Sequence, residues 1–155
     1  MKISKLLLRI AGGFSFAIAI FQAVISFVPS WSLYFGAPPE LVSNPMILIV
    51  SGLVAAIIFA IFGLYALSGA GDIPPLPLLR VALLGIGGIY TLRGLLLVYQ
   101  LLVIEGILQS NETFPSQMVI SSLVSLIVGL LYLSGSLTGW HELQSAKKSQ
   151  AVTAQ

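Results

Sequence analysis

PMILIVSGLVAAIIFAIFGLYALSGAG, residues 45–71, contains no acidic or basic side chain. A helix needs about 20 apolar residues to cross a hydrocarbon core about 30 Å thick, and the part from 45 to 67 alone has that length. Backbone amides in lipid must find hydrogen bonds within their own segment, so the stretch is predicted to form a transmembrane helix. The composition agrees, because 57% of the 155 residues are hydrophobic and 8% are charged, whereas a soluble domain carries about 25% charged residues.

Three more apolar runs of similar length occur in the chain, at about 6–28, 78–104 and 115–139. The third predicted span is interrupted only by Arg80 near its start and by Arg93 within it. All eight prolines fall in predicted loops or at span starts, where a missing backbone amide costs little. The chain is therefore predicted to be an all-α, polytopic membrane protein. It forms a single membrane domain over 1–155, a four-helix transmembrane bundle with a tail at 140–155.

The basic residues indicate how the bundle is oriented. Six of the seven fall on one side of the predicted spans: Lys2, Lys5, Arg9, Arg80, Lys147 and Lys148. The positive-inside rule places that side in the cytoplasm, which predicts an N-in, C-in topology in the cytoplasmic membrane. The triplet Ala17-Ile18-Ala19 after the basic start leaves open a cleavable signal peptide. Because Arg9 interrupts the apolar run, which continues to Val28, we prefer an uncleaved first span.

Polar side chains recur inside three of the four predicted spans. Tyr90 and Arg93 share a face of the third span by their i, i+3 spacing. At 1.5 Å per residue, Arg93 lies about 17 Å below the outer end of this span. Gln22 on the first span and Ser125 on the fourth span also fall in the outer half of the membrane. The candidate intramembrane polar site comprises Arg93, Tyr90, Gln100, Gln22, Ser125 and Tyr132.

Arg93 is the main functional lead, and three interpretations of it remain open. An arginine in mid-membrane costs at least about 2.5–3.5 kcal/mol on insertion scales, and such residues usually face the bundle interior or a water-filled cavity. Arg93 could anchor an anionic ligand, such as a lipid headgroup, a carboxylate or a small inorganic ion. It could instead organise the bundle, satisfied by carbonyls, hydroxyls and amides. In the third interpretation it snorkels toward the outer interface.

Small residues line one side of the second predicted span, which suits close packing of helices. This helix-packing ridge consists of Gly52, Ala56, Ala60 and Gly63. The same span ends with GLYALSG at 63–69, and the fourth ends with GLLYLSG at 129–135. Either a duplicated hairpin or a shared way of ending a helix explains this similarity.

Several function classes lack the residues they need. The chain has no cysteine and one histidine, His141, so neither a metal site nor a haem with paired imidazoles is predicted. No phosphate-binding loop, dinucleotide fingerprint or nucleophile elbow is present, and we expect no enzymatic activity, no catalytic residues and no cofactor. The net charge of +2 indicates no nucleic-acid partner.

Two loop features have simple interpretations. Asp72 is predicted to be a solvated loop residue, near Arg80. The segment Asn111-Glu112-Thr113 fits a glycosylation acceptor only in a eukaryotic secretory membrane.

Four segments carry a resemblance to known proteins: YFGAPPEL at 34–41, YALSGAG at 65–71, LPLLR at 76–80 and YTLRGL at 90–95. Over nearly the whole chain the sequence resembles a group of small, uncharacterised, bacterial four-helix membrane proteins. The resemblance implies a bacterial inner membrane and no particular activity. The size is also similar to that of small multidrug exporters and of the DoxX-like group. The exporters carry a glutamate in the first helix, where this chain offers only Gln22.

Two functions follow from the sequence as predictions. The first is a non-enzymatic accessory or helix-packing interaction protein, whose partners are the lipid bilayer and either a second copy or a larger membrane complex. The alternative is binding or transport of a small anion or a lipid, through an outward-facing polar pocket floored by Arg93.

Overall fold

The computed structural model describes residues 2–108 and 114–139, and this part of the chain consists of helices and the loops between them, without a strand. It contains α1 (Lys2–Ser26), α2 (Pro29–Tyr34), α3 (Pro39–Val42), α4 (Pro45–Ala70), α5 (Leu79–Ile104) and α6 (Ser116–Thr138). Four of them, α1, α4, α5 and α6, are long and apolar enough to cross a membrane. The all-α prediction is thus confirmed for the described residues. The predicted tail at 140–155, with His141, Lys147 and Lys148, and the Asn111–Thr113 acceptor lie outside them.

Asparagine and proline residues define the start of α4, and a glycine defines its end. Pro45 occupies the first turn, where its missing amide proton has no helical acceptor. Asn44 caps this end by accepting a hydrogen bond from the Ile47 amide at 3.4 Å. At the other end Gly71 adopts a left-handed conformation, with φ of 81°, which glycine allows without strain. The helix therefore continues to Ala70, three residues beyond the predicted end of the span.

The long helices pack as two close pairs, α1 with α4 and α5 with α6, and glycines make the close approach possible. A Cβ atom on Gly63 of α4 would lie 2.7 Å from the ring of Phe16 in α1. A Cβ atom on Gly94 of α5 would lie 2.5 Å from the Leu126 backbone in α6. The first pair contacts the second mainly where α1 packs against α6, and to a smaller extent where α4 packs against α5.

The two pairs repeat the same contacts. Gly12 of α1 packs against the Cβ atom of Ala66, and Gly87 of α5 packs in the same way against Tyr132. Gly63 of α4 packs against Phe16, four residues after Gly12. Gly129 of α6 likewise packs against Thr91, four residues after Gly87. In each case the α5 residue follows its α1 counterpart by 75 positions, and the α6 residue follows its α4 counterpart by 66. Shared helix-ending chemistry would not repeat interior contacts, so this geometry favours a duplicated hairpin.

The end of the bundle that holds α2 and α3 is called the loop end, and the opposite end, which holds Lys2 and Thr138, the terminal end. The segment between the first two predicted spans, expected to be a loop, folds into these two short helices. Ser32 donates a hydrogen bond to the Ile25 carbonyl at 2.6 Å, and Gln117 donates to the Tyr34 carbonyl at 2.9 Å. These bonds attach the loop to α1 and α6.

An ion pair joins α1 to the α4–α5 loop at the terminal end. Arg9 donates from Nε to Oδ2 of Asp72 at 2.8 Å. The Arg9 side chain is 55% exposed and that of Asp72 is 30% exposed. From the sequence, Asp72 was expected to be a solvated residue near Arg80. Its partner in the structure is Arg9, which a continuous α1 beginning at Lys2 brings to the same end of the bundle.

Candidate functional site

A chain of hydrogen bonds joins the four long helices in the middle of the bundle. Tyr132 of α6 donates its hydroxyl proton to the Phe62 carbonyl of α4 at 2.8 Å. The Ser15 hydroxyl of α1 lies 2.9 Å from that of Tyr132 and 3.2 Å from that of Tyr90 in α5. Because Tyr132 already donates to Phe62, Ser15 donates to Tyr132 and accepts from Tyr90. We call Ser15, Tyr90 and Tyr132 the hydroxyl cluster.

The hydroxyl cluster is sealed from solvent. Ser15 and Tyr132 are completely buried, and Tyr90 is 4% exposed. The two tyrosine rings stack with their centroids 5.8 Å apart, and Phe59 and Phe62 pack around Tyr90 at centroid distances of 6.1 and 6.0 Å. A buried hydroxyl is costly without a partner, and all three have one here. The aromatic rings fill the middle of the bundle, and the hydroxyl cluster holds the helices together there.

Arg93 lies outside this centre. Its side chain is exposed, although it follows the buried Tyr90 by only three residues. Its Nη2 atom lies 3.5 Å from the Ser121 hydroxyl of α6, at the long limit for a hydrogen bond. Among residues 2–108 and 114–139, no carboxylate forms an ion pair with Arg93. The structure therefore places this guanidinium at the surface of the bundle.

Gln100 and Ser125 occupy two further positions between the helices. Gln100 of α5 is 4% exposed, and its Oε1 atom accepts no hydrogen bond within the described part of the chain. Ser125 of α6 donates to the Ser121 carbonyl of its own helix at 2.8 Å. Ser125 is thus satisfied locally, whereas Gln100 retains an unused acceptor.

Gln22 lines a cavity at the loop end, about two helical turns beyond Ser15 along α1. The cavity has a volume of about 330 Å³ and lies between the last turns of α1, the loop that carries α2 and α3, and the first turns of α4. Ser51 of α4 also lines it, and none of its lining residues is charged. Of the six predicted site residues, Tyr90 and Tyr132 are brought together by their stacked rings, whereas Arg93 lies near Ser121 and Gln22 lines the cavity.

The predicted helix-packing ridge faces the interior of the chain. Gly52, Ala56 and Gly63 are buried, and Ala60 is partly buried. A Cβ atom on Gly52 would overlap the Cβ atom of Ser26, so the ridge is in close contact with α1. These residues bring two helices of one chain together and present no free surface to a partner.

Ser15 is the member of the hydroxyl cluster that the predicted site did not include. Its helical spacing places it on one stripe with Gln22, but spacing within one helix does not reveal which residue of another helix it meets. The signal available in the sequence was depth, since Tyr90 and Tyr132 fall at nearly equal depths in their predicted spans. A buried serine at that depth can donate a hydrogen bond to one tyrosine hydroxyl and accept one from the other.

Taken together, the fold and these environments define a bundle of four long apolar helices with a hydrogen-bonded centre, an exposed guanidinium and an uncharged cavity. No family model, no curated protein and no solved structure matches the chain. The resemblance to small bacterial four-helix membrane proteins therefore stays a prediction.

Proposed function

We propose that this protein is a non-enzymatic accessory subunit of the bacterial inner membrane that assembles, through α5, with a transmembrane helix of a different protein. The partner helix carries an aspartate or glutamate at the depth of Arg93. The observation that carries this proposal is the exposed guanidinium of Arg93 within a helix long and apolar enough to cross a membrane. Four such helices and a chain with 8% charged residues support the membrane location.

The depth of Arg93 makes its exposure costly. Arg93 precedes the end of α5 by eleven residues, which corresponds to about 17 Å along the helix. Insertion scales assign about 2.5–3.5 kcal/mol to an arginine at the centre of a membrane helix. The contact with Ser121 is long, and a hydroxyl does not neutralise the charge. A carboxylate on a neighbouring helix would do so at short range, in a medium of low dielectric constant.

The four long helices of a second copy supply no such carboxylate. Neither α1, α4, α5 nor α6 contains an aspartate or a glutamate. The nearest acid along the chain, Glu105, follows the end of α5. Charge complementarity therefore points to a different membrane protein as the occupant of this face.

The surface of α5 beside Arg93 offers room for a second helix. Gly85, Ile89 and Arg93 follow one another at intervals of four residues, which places them along one ridge of the helix. A Cβ atom on Gly85 or Gly88 would meet nothing within 4 Å, unlike those on the glycines that face α6. A glycine inside a helix is destabilising by about 0.5–1 kcal/mol relative to alanine. Packing within this chain does not explain the two glycines, whereas close approach of a partner helix does.

Site-specific crosslinking tests the proposal. A photoreactive residue replaces Ile89, which is 57% exposed, and for comparison Ile57 of α4, which is 60% exposed. We expect position 89 alone to crosslink one membrane protein that has an acidic residue inside a predicted span. Arg93→Gln should abolish this product and Arg93→Lys should retain it. Exchanging the charges, with Arg93→Glu here and arginine at the partner's acid, should restore it.

Two results would overturn the proposal. One is crosslinking to phospholipid alone from both positions, which would make Arg93 a residue that interacts with lipid. The other is a protein product that Arg93→Gln leaves unchanged. Unfolding of the purified variants in detergent serves as the control, because the surface position of Arg93 predicts that Arg93→Gln folds normally.

The topology is proposed as N-in, C-in. Lys5 and Arg9 lie at the terminal end, where the Lys5 ammonium approaches Gly71 and Arg9 pairs with Asp72. The positive-inside rule assigns that end to the cytoplasm. Alkaline phosphatase fused after Asp72 should be inactive and fused after Ile107 should be active, and the reverse pattern would contradict this orientation.

A further inference from the structure

The cavity at the loop end has a built roof. Ser32 on α2 donates to the Ile25 carbonyl, which fixes the loop to the last turn of α1. The rings of Phe21 and Phe35 meet edge to face, with centroids 4.9 Å apart, and this contact fixes the end of α2 to the same helix. Gly36 adopts a φ of 92°, a conformation that other residues rarely take, and it turns the chain over the cavity. The cavity is thus enclosed by ordered structure on three sides.

The polar groups of the cavity are available to a ligand. The Gln22 side chain is partly buried and forms no hydrogen bond within the described part of the chain. An amide of this kind can donate two protons and accept two hydrogen bonds. Ser51 donates its proton to the Leu48 carbonyl at 3.0 Å, so its oxygen remains free to accept. The Gln22 amide therefore offers the cavity both N–H donors and an acceptor oxygen, and Ser51 adds a second acceptor oxygen.

The remaining walls select against charge. Ile25, Leu41, Leu48 and Phe35 contribute apolar surface, and no lysine, arginine, aspartate or glutamate lines the cavity. An ionised ligand would lose its hydration there without gaining an opposite charge, which is strongly unfavourable. The cavity fits an uncharged molecule with a hydroxyl or carbonyl headgroup and an apolar remainder.

We propose that this cavity binds the glycerol and ester region of an uncharged lipid of the diacylglycerol class. The carbonyl and hydroxyl oxygens of such a headgroup match the Gln22 amide, and its ester-linked chains match the apolar walls. A volume of about 330 Å³ lies at the lower end of the range for small-molecule sites, and it accommodates a headgroup whose chains continue into the membrane. This role uses α1, α4 and the roof, and it is independent of Arg93.

Binding of a defined probe tests the proposal. The purified full-length protein in detergent is titrated with dioctanoylglycerol, and the bound fraction is read by native mass spectrometry. We expect one bound molecule, with affinity reduced about tenfold by Gln22→Leu, since the loss of one good hydrogen bond is of that size. Ser51→Ala should weaken binding by a smaller factor. Ser134→Ala serves as the matched control, because Ser134 also donates to a carbonyl of its own helix but lies on α6.

The other outcomes overturn the proposal. Dioctanoyl phosphatidic acid has the same chains and a charged headgroup, and equal or tighter binding of it would contradict an uncharged site. Competition by glycerol alone at matched concentration would show a water-soluble ligand instead of a lipid. Equal binding by wild type, Gln22→Leu and Ser51→Ala would show that the probe binds elsewhere. If Gln22→Leu does not fold, Ser51→Ala is compared with Ser134→Ala. Weaker binding by Ser51→Ala alone supports the site, and equal binding by the two variants contradicts it.

Discussion

Ser15 and Tyr132, 117 residues apart in sequence, share a hydrogen bond of 2.9 Å between their hydroxyl groups. Through Tyr90 on one side and the Phe62 carbonyl on the other, this bond connects α1, α4, α5 and α6 in one polar chain. In an apolar environment a hydroxyl without a partner is costly, so the arrangement specifies which helix faces are allowed to meet. The centre of the molecule is therefore held in register by three side-chain oxygens.

Removing the central hydroxyl group should destabilise the bundle. Tyr132→Phe leaves Ser15 without its acceptor and Phe62 without its extra donor, and we expect a loss of about 1–2 kcal/mol in the free energy of unfolding. Ser15→Ala should cost a similar amount, and the double variant should cost less than the sum, because both changes break the same chain. Unfolding in mixed micelles measures all three. Tyr99→Phe, at a 41% exposed tyrosine, is the control and should change little.

Two glycines of α5 should respond oppositely to alanine. At Gly94 a new Cβ atom would lie 2.5 Å from the backbone nitrogen of Leu126, a rigid neighbour, so Gly94→Ala should force α5 and α6 apart and destabilise by about 1–3 kcal/mol. At Gly85 the space is open, and Gly85→Ala should be neutral or stabilising by up to about 1 kcal/mol. Thermal unfolding of the isolated protein distinguishes the two. Equal destabilisation at both sites would contradict the packing described for α5.

The helices were predictable from the sequence because their signals are local. Length and apolar content define the four long helices, and Pro45 marks the start of α4 in both sequence and structure. The helices α2 and α3 were not predictable in this way, because they are short and depend on contacts with other helices. Gln117 of α6 bonds the Tyr34 carbonyl of α2, and α3 packs on α4. Short segments of this kind lack enough internal hydrogen bonds to form alone.

The direction in which a polar side chain faces was harder to predict than its helix. Tyr90 and Arg93 lie only about 60° apart around α5, at 3.6 residues per turn. In a soluble protein the polar face would indicate the outside, but α5 is apolar all around, so the sequence does not reveal its inner face. The boundary between buried and exposed surface passes between these two residues. Their spacing grouped the two residues, but in the structure Tyr90 alone is covered by side chains of α1 and α4.

Acid should weaken the contact between α1 and the α4–α5 loop. The hydrogen bonds and charge of Arg9, aided by Lys5, lower the pKa of Asp72 below its usual value near 4. A depressed pKa in the folded state means that the contribution to stability is present above the unfolded pKa and is lost as the pH falls through the folded one. The unfolding midpoint of wild type should thus fall more steeply below about pH 4 than that of Asp72→Asn. High salt should reduce this difference, because the pair is accessible to water. Identical acid profiles for the two proteins would contradict a contribution from the pair.

The two hairpins should reassemble when the chain is divided between Pro77 and Leu78. Each fragment keeps one close pair of helices, α1 with α4 or α5 with α6, because those pairs pack through their own glycines. The hydroxyl cluster is split, since Ser15 and the Phe62 carbonyl lie in the first fragment and Tyr132 in the second. In a membrane, helices that are already formed associate through packing and hydrogen bonds. The hydrogen bonds of the hydroxyl cluster therefore give the two fragments a specific way to recombine.

Co-expression of the two fragments with a tag on one measures this association. We expect the untagged fragment to co-purify in mild detergent at close to equal amounts, and Tyr132→Phe should reduce its recovery several-fold. The control is again Tyr99→Phe, which changes the same chemical group on the second fragment at a position outside the cluster. Fragments that are both stable in the membrane but never co-purify would show that the covalent loop, and not the hydroxyl cluster, holds the pairs together. A loss with Tyr132→Phe alone would assign that role to the Tyr132 hydroxyl group, which bonds both Ser15 and the Phe62 carbonyl of the first fragment.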